Sequence, residues 1–184
     1  MGLNLKKILT NHYINYIIIN MKIKLKSIFI IILLFLSSSV YAQSYRFYQT
    51  DNIHNQLRLD TRTGEVYQIQ NDGQTFIVHR ATTSNSEIIN RYILYKTRNM
   101  WTYILLDTFN GKLWQCQYSI KGDDYRSSWI INNNILSITE NSKFIIQPMT
   151  SMYQYYLINE ETGDMWRFQW STQGSDYRWI ERFR

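Results

Sequence analysis

Few side chains in this sequence are suited to acid-base, nucleophilic or metal chemistry. After residue 43 there are two histidines, His54 and His79, and the chain's single cysteine is Cys116. His79 has no His, Cys or acidic neighbour at metal-ligand spacing, so the pattern gives no zinc site and no cofactor is expected. A reactive thiol needs an exposed, electropositive setting. Cys116 instead falls at a position where equivalent segments carry Ile69 and Phe168, and a core role is expected for it. Asp60, Asp107, Asp124 and Asp176 are the carboxylates from which a glycosidase pair would be drawn, since two suffice for that chemistry. Their recurrence at fixed places in a repeat favours turn-making instead. Asp124 and Asp176 each stand two residues before an arginine (Arg126, Arg178), and a same-strand ion pair is the expectation there.

The repeat is what must position these residues. Three segments align: LRLDTRTGEVYQIQ (Leu57 to Gln70), ILLDTFNGKLWQCQ (Ile104 to Gln117) and YLINEETGDMWRFQ (Tyr156 to Gln169). With Gly64, Gly111 and Gly163 in register, the spacings are 47 and 52 residues. Asp60, Asp107 and Asn159 come four residues before the glycine. Tyr67, Trp114 and Trp166 follow it by three, and Gln70, Gln117 and Gln169 by six. Upstream, Arg46-Phe47, Arg91-Tyr92 and Lys143-Phe144 are taken to open each unit, and downstream KGDDYR (Lys121 to Arg126) matches QGSDYR (Gln173 to Arg178).

Repeats of this period mark architectures in which one unit cannot bury its apolar face alone. Their runs of β-branched and aromatic residues, separated by turn residues, read as strands. In D-T-x-[TN]-G the Asp bonds the backbone ahead of it and Gly accepts a positive φ, which predicts a short hairpin loop. Trp114 and Cys116 alternate with Gln115 and Gln117, predicting one drier sheet face. The glutamines at 70, 117 and 169 are expected to line a polar axis or bond between units. Each repeat (44–80, 91–133, 143–184) is thus four antiparallel strands, and the fold class is all-β with pseudo-threefold symmetry. Closure as a β-trefoil is the first expectation, because propellers typically use four to eight blades; a three-bladed propeller-like assembly is the alternative. SNSE (Ser84 to Glu87) resembles a capping box, and 81–90 and 132–142 read as linkers.

Aromatic residues are the more informative chemistry. Twelve Tyr, six Phe and six Trp follow residue 43, and all six Trp lie in the second and third repeats. His54, Trp101 and Tyr153 occupy one repeat position, in the strings N-I-H, N-M-W and S-M-Y near predicted hairpin tips. A position that takes His, Trp or Tyr calls for a flat ring rather than a proton carrier. The three are candidate binding residues that stack on sugar rings or anchor a protein; the alternative is that they plug the end of the core.

The leader and the charge set the setting. From Met21 the chain reads as a secretory signal: three lysines, the apolar run Ile28 to Leu36, and Val40-Tyr41-Ala42 as a cleavage site after Ala42. The run is shorter than the roughly 20 residues of a membrane span. Translation is accordingly expected to begin at Met21, with 1–20 a start-site extension, 21–42 the signal and 43–184 one exported, soluble, periplasmic or secreted domain. The formal charge of +6 belongs mostly to five lysines before residue 43; beyond it 15 basic residues face 14 acidic ones, which predicts no nucleic-acid footprint. A lone cysteine excludes an intramolecular disulfide.

D-T-x-T-G followed by an aromatic resembles the hairpin of quinoprotein-type propeller repeats, although here the aromatic comes three residues after Gly, one earlier, and no quinone-binding constellation is visible. The fuller unit, R-[YF] … LLDT-x-[TN]-G-x-[LV]-[WY]-Q-x-Q, resembles small exported bacterial proteins of uncharacterised function. That resemblance implies an exported β-repeat protein and carries over no catalytic residue. The expectation is a non-enzymatic exported module that binds a glycan or a protein. A glycan hydrolase using repeat-borne carboxylates and a structural protein that self-associates through strand edges are the alternatives.

Overall fold

The D-T-x-[TN]-G hairpins form as their residue types require. Gly64, Gly111 and Gly163 have φ of +80°, +67° and +75°, and each donates its N–H to the carbonyl of the Asp or Asn four residues earlier, at 2.9, 2.9 and 2.8 Å. The side chains of Asp60, Asp107 and Asn159 accept from the amides of Arg62, Phe109 and Glu161 at 2.9 to 3.0 Å. The computed structural model describes residues 44–81, 88–132 and 142–183, and before them Met21, Lys22, Lys24 and Lys26 as helical positions. The signal-peptide run, the capping box and most of both linkers lie outside the described residues. No helix among the described residues is long and apolar enough to cross a membrane. Residues 42–184 make up one unit and residues 1–41 another.

The larger unit is all-β, with twelve strands in three four-stranded antiparallel sheets. The first holds β1 (Tyr45–Gln49), β2 (Asn55–Asp60), β3 (Val66–Gln70) and β4 (Thr75–His79). The second holds β5 (Tyr92–Lys96), β6 (Thr102–Asp107), β7 (Leu113–Gln117) and β8 (Ser127–Ile130). The third holds β9 (Phe144–Pro148), β10 (Gln154–Asn159), β11 (Met165–Gln169) and β12 (Trp179–Arg182). Within each sheet the strands pair in sequence order, and among the described residues no strand pairs outside its own repeat. This corrects the trefoil expectation. A trefoil takes hairpins from different repeats into a closed barrel, whereas here short connections keep all four strands in one meander, leaving blade-like units stacked face to face.

Two apolar clusters fill the spaces between sheets. Leu57, Leu59, Val66 and Val78 of the first sheet pack on Tyr92, Leu94, Tyr103, Leu105, Trp114 and Cys116 of the second. The second sheet's other face, with Ile104, Leu106 and Leu113, packs on Phe144, Ile146, Tyr155, Leu157, Trp166 and Phe168 of the third. Each such side chain is worth about 1.5–3 kcal/mol when fully buried. Being covered on both faces, the middle sheet has β6 buried along its whole length, while β10 alternates.

The strand register corrects two readings of the sequence. Tyr45, Tyr92 and Phe144 stand opposite Asp60, Asp107 and Asn159, so the first unit opens at Ser44-Tyr45 rather than Arg46-Phe47. Gln115, expected on a wetter face, has no exposure. Its Nε2 donates to the Ser171 carbonyl at 2.9 Å and its Oε1 accepts from the Ser171 amide at 3.0 Å. Gln68 takes the same place in the first sheet, accepting from the Ser119 amide and from Arg126 Nε. These glutamines, and not Gln70, Gln117 and Gln169, bond between units.

His79 is a buried titratable group at the first junction. It is 5% exposed, lies 5.2 Å from the Trp114 ring, and its Nδ1 is 2.7 Å from Ser128 Oγ. Burial holds its pKa down at about 4. The unfolded chain, titrating near 6.5, therefore binds the proton first, so the contribution is complete above pH 6.5 and is lost as pH falls towards 4. Stability is expected to drop by about 3 kcal/mol over that interval. Urea unfolding at pH 7 and pH 4 should show this loss, and a His79→Gln variant should lack that component of it.

Candidate functional site

The three ring positions are built by one local device. Asn52 and Asn99 accept through Oδ1, and Ser151 through Oγ, from the backbone amides of His54, Trp101 and Tyr153, at 3.0, 2.9 and 3.3 Å. The ring residue's carbonyl then accepts from the amide of Asn71, Tyr118 or Trp170, at 3.0, 3.1 and 3.1 Å. Each ring thus sits at the tip joining a repeat's first two strands, laid against the segment that follows its third. Trp101 lies 5.1 Å from Tyr118 and Tyr153 lies 5.0 Å from Trp170, both tilted. Trp101 is half-buried against the core, which gives partial weight to the plug reading, while Tyr153 is 40% exposed and His54 is exposed.

Each ring lines a recess, and the recesses are equivalent by repeat. That of the first repeat is about 330 Å³, bounded by His54, Gln70, Asn71 and Asp72. The second, also about 330 Å³, is bounded by Trp101, Gln117, Tyr118, Lys121 and Tyr125. The third, about 110 Å³, is bounded by Tyr153, Gln169, Trp170, Gln173 and Tyr177. Ile120 lines both the first and the second, and Thr172 both the second and the third. The three are therefore neighbours in a row along the hairpin tips, with Ile120 and Thr172 standing between them.

Tyr125 and Tyr177 are contributors that sequence reasoning missed. They close the short 3₁₀ turns Asp123–Tyr125 and Ser175–Tyr177 and are 54% and 52% exposed. Gln117 and Gln169 hold those turns by donating Nε2 to the carbonyls of Tyr125 and Tyr177, at 3.2 and 3.1 Å. The signal was present as the shared DYR of the two downstream motifs, read there for its Asp and Arg. The first repeat has no such turn, and its recess is bounded by His54, Asn71 and Asp72 with no tyrosine.

The carboxylates stand elsewhere. Asp60 is bound to Arg62 and Asp107 to Arg91. Asp124 and Asp176 are exposed in the 3₁₀ turns rather than on a strand, and the partner of Arg126 is Asp123, not Asp124. Arg178 lies instead over Trp129, 5.3 Å from its ring centre. Cys116 is 1% exposed with its thiol pKa pushed up by burial, as its core position implied. Among the described residues no group of His, Cys, Asp and Glu is arranged to hold a metal ion. Compared with protein-family models, curated proteins and solved structures, the chain matches none.

Proposed function

We propose that the protein is an exported, non-enzymatic carbohydrate-binding module that lays a linear glycan along its three recesses. The observation that carries this reading is the row of three equivalent, neighbouring recesses, in which rings recur beside amide and hydroxyl groups at repeat spacing. A sugar presents an apolar ring face and a rim of hydroxyls. Trp101, Tyr125, Tyr153 and Tyr177 offer rings for the face, and Gln70, Gln117, Gln173 and Lys121 offer hydrogen-bonding groups for the rim. Repetition suits a polymer, since successive units of one chain meet successive copies of one recess and the weak contacts add within a single ligand. The second and third recesses each carry two rings that are not fully buried, Trp101 with Tyr125 and Tyr153 with Tyr177, and supply most of the affinity. The leader's signal-like pattern is consistent with a glycan met outside the cytoplasm.

Retention on insoluble polysaccharides (cellulose, chitin and peptidoglycan) tests this. The purified protein should be retained on at least one, and Tyr125→Ala with Tyr177→Ala should weaken retention about tenfold or more. Both rings are half exposed, so their removal should leave unfolding stability within about 0.5 kcal/mol. Trp101→Ala, which also strips a ring from Tyr118, should lower both. Unchanged retention in the double tyrosine variant would reject the recesses as the site.

A further inference from the structure

The two internal junctions share one plan, and each end of the stack presents half of it. At the first junction Tyr92 donates its amide to the Thr61 carbonyl at 2.9 Å; at the second Phe144 donates to Thr108 at 2.8 Å. The Tyr92 ring covers Gly64 so closely that a Cβ there would lie 2.9 Å from it. Gln68 and Gln115 reach across to Ser119 and Ser171.

The free face of the third sheet repeats the half that accepts those amides. Tyr156, Ile158 and Met165 take the places of Ile104, Leu106 and Leu113, and a Cβ at Gly163 would meet nothing within 4 Å. The free face of the first sheet repeats the half that donates them. Tyr45 and Phe47, 45% and 62% exposed, take the places of Tyr92 and Leu94, which are 1% and 3% exposed. On that face Arg58 lies over Tyr45 and Tyr67, and its Nε is buried with no hydrogen-bond partner. Where internal junctions use Gln with Ser, the free faces carry Arg167 and Asp72. Asp72 accepts from the Gln74 amide as Ser171 does from Gln173, which fixes the equivalence.

We propose that two copies of this chain join head to tail, each first sheet packing on the other's third sheet. The result is a ring of six sheets with a twofold axis, in which Arg167 of one copy meets Asp72 of the other. The apolar halves repeat those of the interfaces the chain already forms. At the one polar contact that every junction needs, a neutral pair has been replaced by opposite charges on the two ends. Arg167 also pairs with Glu181 on its own sheet, so its guanidinium is oriented on that face. Six sheets fall within the usual propeller range, and a head-to-tail contact that closes ends in a ring rather than a filament. This assembly stands independently of the glycan reading.

Sedimentation velocity of the full chain over a concentration series tests it. The expected species has twice the 22.3 kDa chain mass. Arg167→Asp alone and Asp72→Arg alone should each weaken dimerisation about tenfold or more, and the double swap should restore it, because it rebuilds the pair at both junctions. Circular dichroism confirms that each variant is folded, and Phe47→Glu provides an independent block of the same face. A chain that stays monomeric throughout overturns the proposal. So does a dimer indifferent to both single substitutions, or a species that grows without limit.

Discussion

Replacing Trp170 with alanine is expected to destabilise the protein by about 3–5 kcal/mol, the range for emptying a large aromatic from a packed core. The side chain has no exposure, and its Nε1 donates to the Met152 carbonyl at 3.1 Å. Its backbone amide anchors the tip at Tyr153, so one substitution removes core contacts, a hydrogen bond and the backing of the third recess. Against a total stability of about 5–15 kcal/mol for a domain, that is a large share. Trp170→Phe keeps a ring and orphans the Met152 carbonyl, so a smaller loss of about 1–3 kcal/mol is expected. Urea unfolding of the two variants separates the contributions. A loss below about 1 kcal/mol in the alanine variant would mean that the tip does not rest on Trp170.

The second large effect belongs to Arg91. Asp107, with a side chain 1% exposed, accepts from Arg91 Nε at 3.1 Å through both oxygens and from Nη2 at 2.7 Å, and also from the Phe109 amide. The hydrogen bond to Asp107 raises the Arg91 pKa. Arg91→Met strands that carboxylate without its counter-charge, a loss of about 3–5 kcal/mol for a buried pair broken from one side. The third repeat shows the remedy, since Asn159 makes the same turn without a charge and donates to Ser142 Oγ. Adding Asp107→Asn to Arg91→Met should therefore recover most of the stability, measured by the same unfolding curves. If the double variant is no better than the single one, the cost lies in packing rather than charge.

The hairpins were the most legible part of the fold, because Gly with an Asx residue four positions earlier admits few backbone solutions, and Gly64, Gly111 and Gly163 adopt the same one. The opening of the first unit was misread by two residues. A strand has period two, so Phe47 and Tyr45 fall on one face and either satisfies the pattern; only pairing with Asp60 decides. Closure was not legible, since four strands per repeat suit a trefoil and a blade equally, and the difference lies in which strands pair. Gln68 and Gln115 were passed over because a polar residue alternating with Trp114 or Tyr67 looks solvent-facing. Only the next sheet, which sequence alternation does not display, buries it. Among the site residues, the tip rings His54, Trp101 and Tyr153 were found through their shared position. Tyr125 and Tyr177 recur within the shared DYR, but a three-residue 3₁₀ turn has no strand alternation to show that their rings face outward.

The most direct test of the central claim is isothermal titration of the protein with oligosaccharides of increasing length, cut from the polysaccharide that retains it. A row of recesses predicts that affinity climbs about tenfold or more between disaccharide and hexasaccharide, and that Tyr125→Ala with Tyr177→Ala abolishes the climb. Affinity independent of length, or a climb that survives the loss of both tyrosines, would contradict the account.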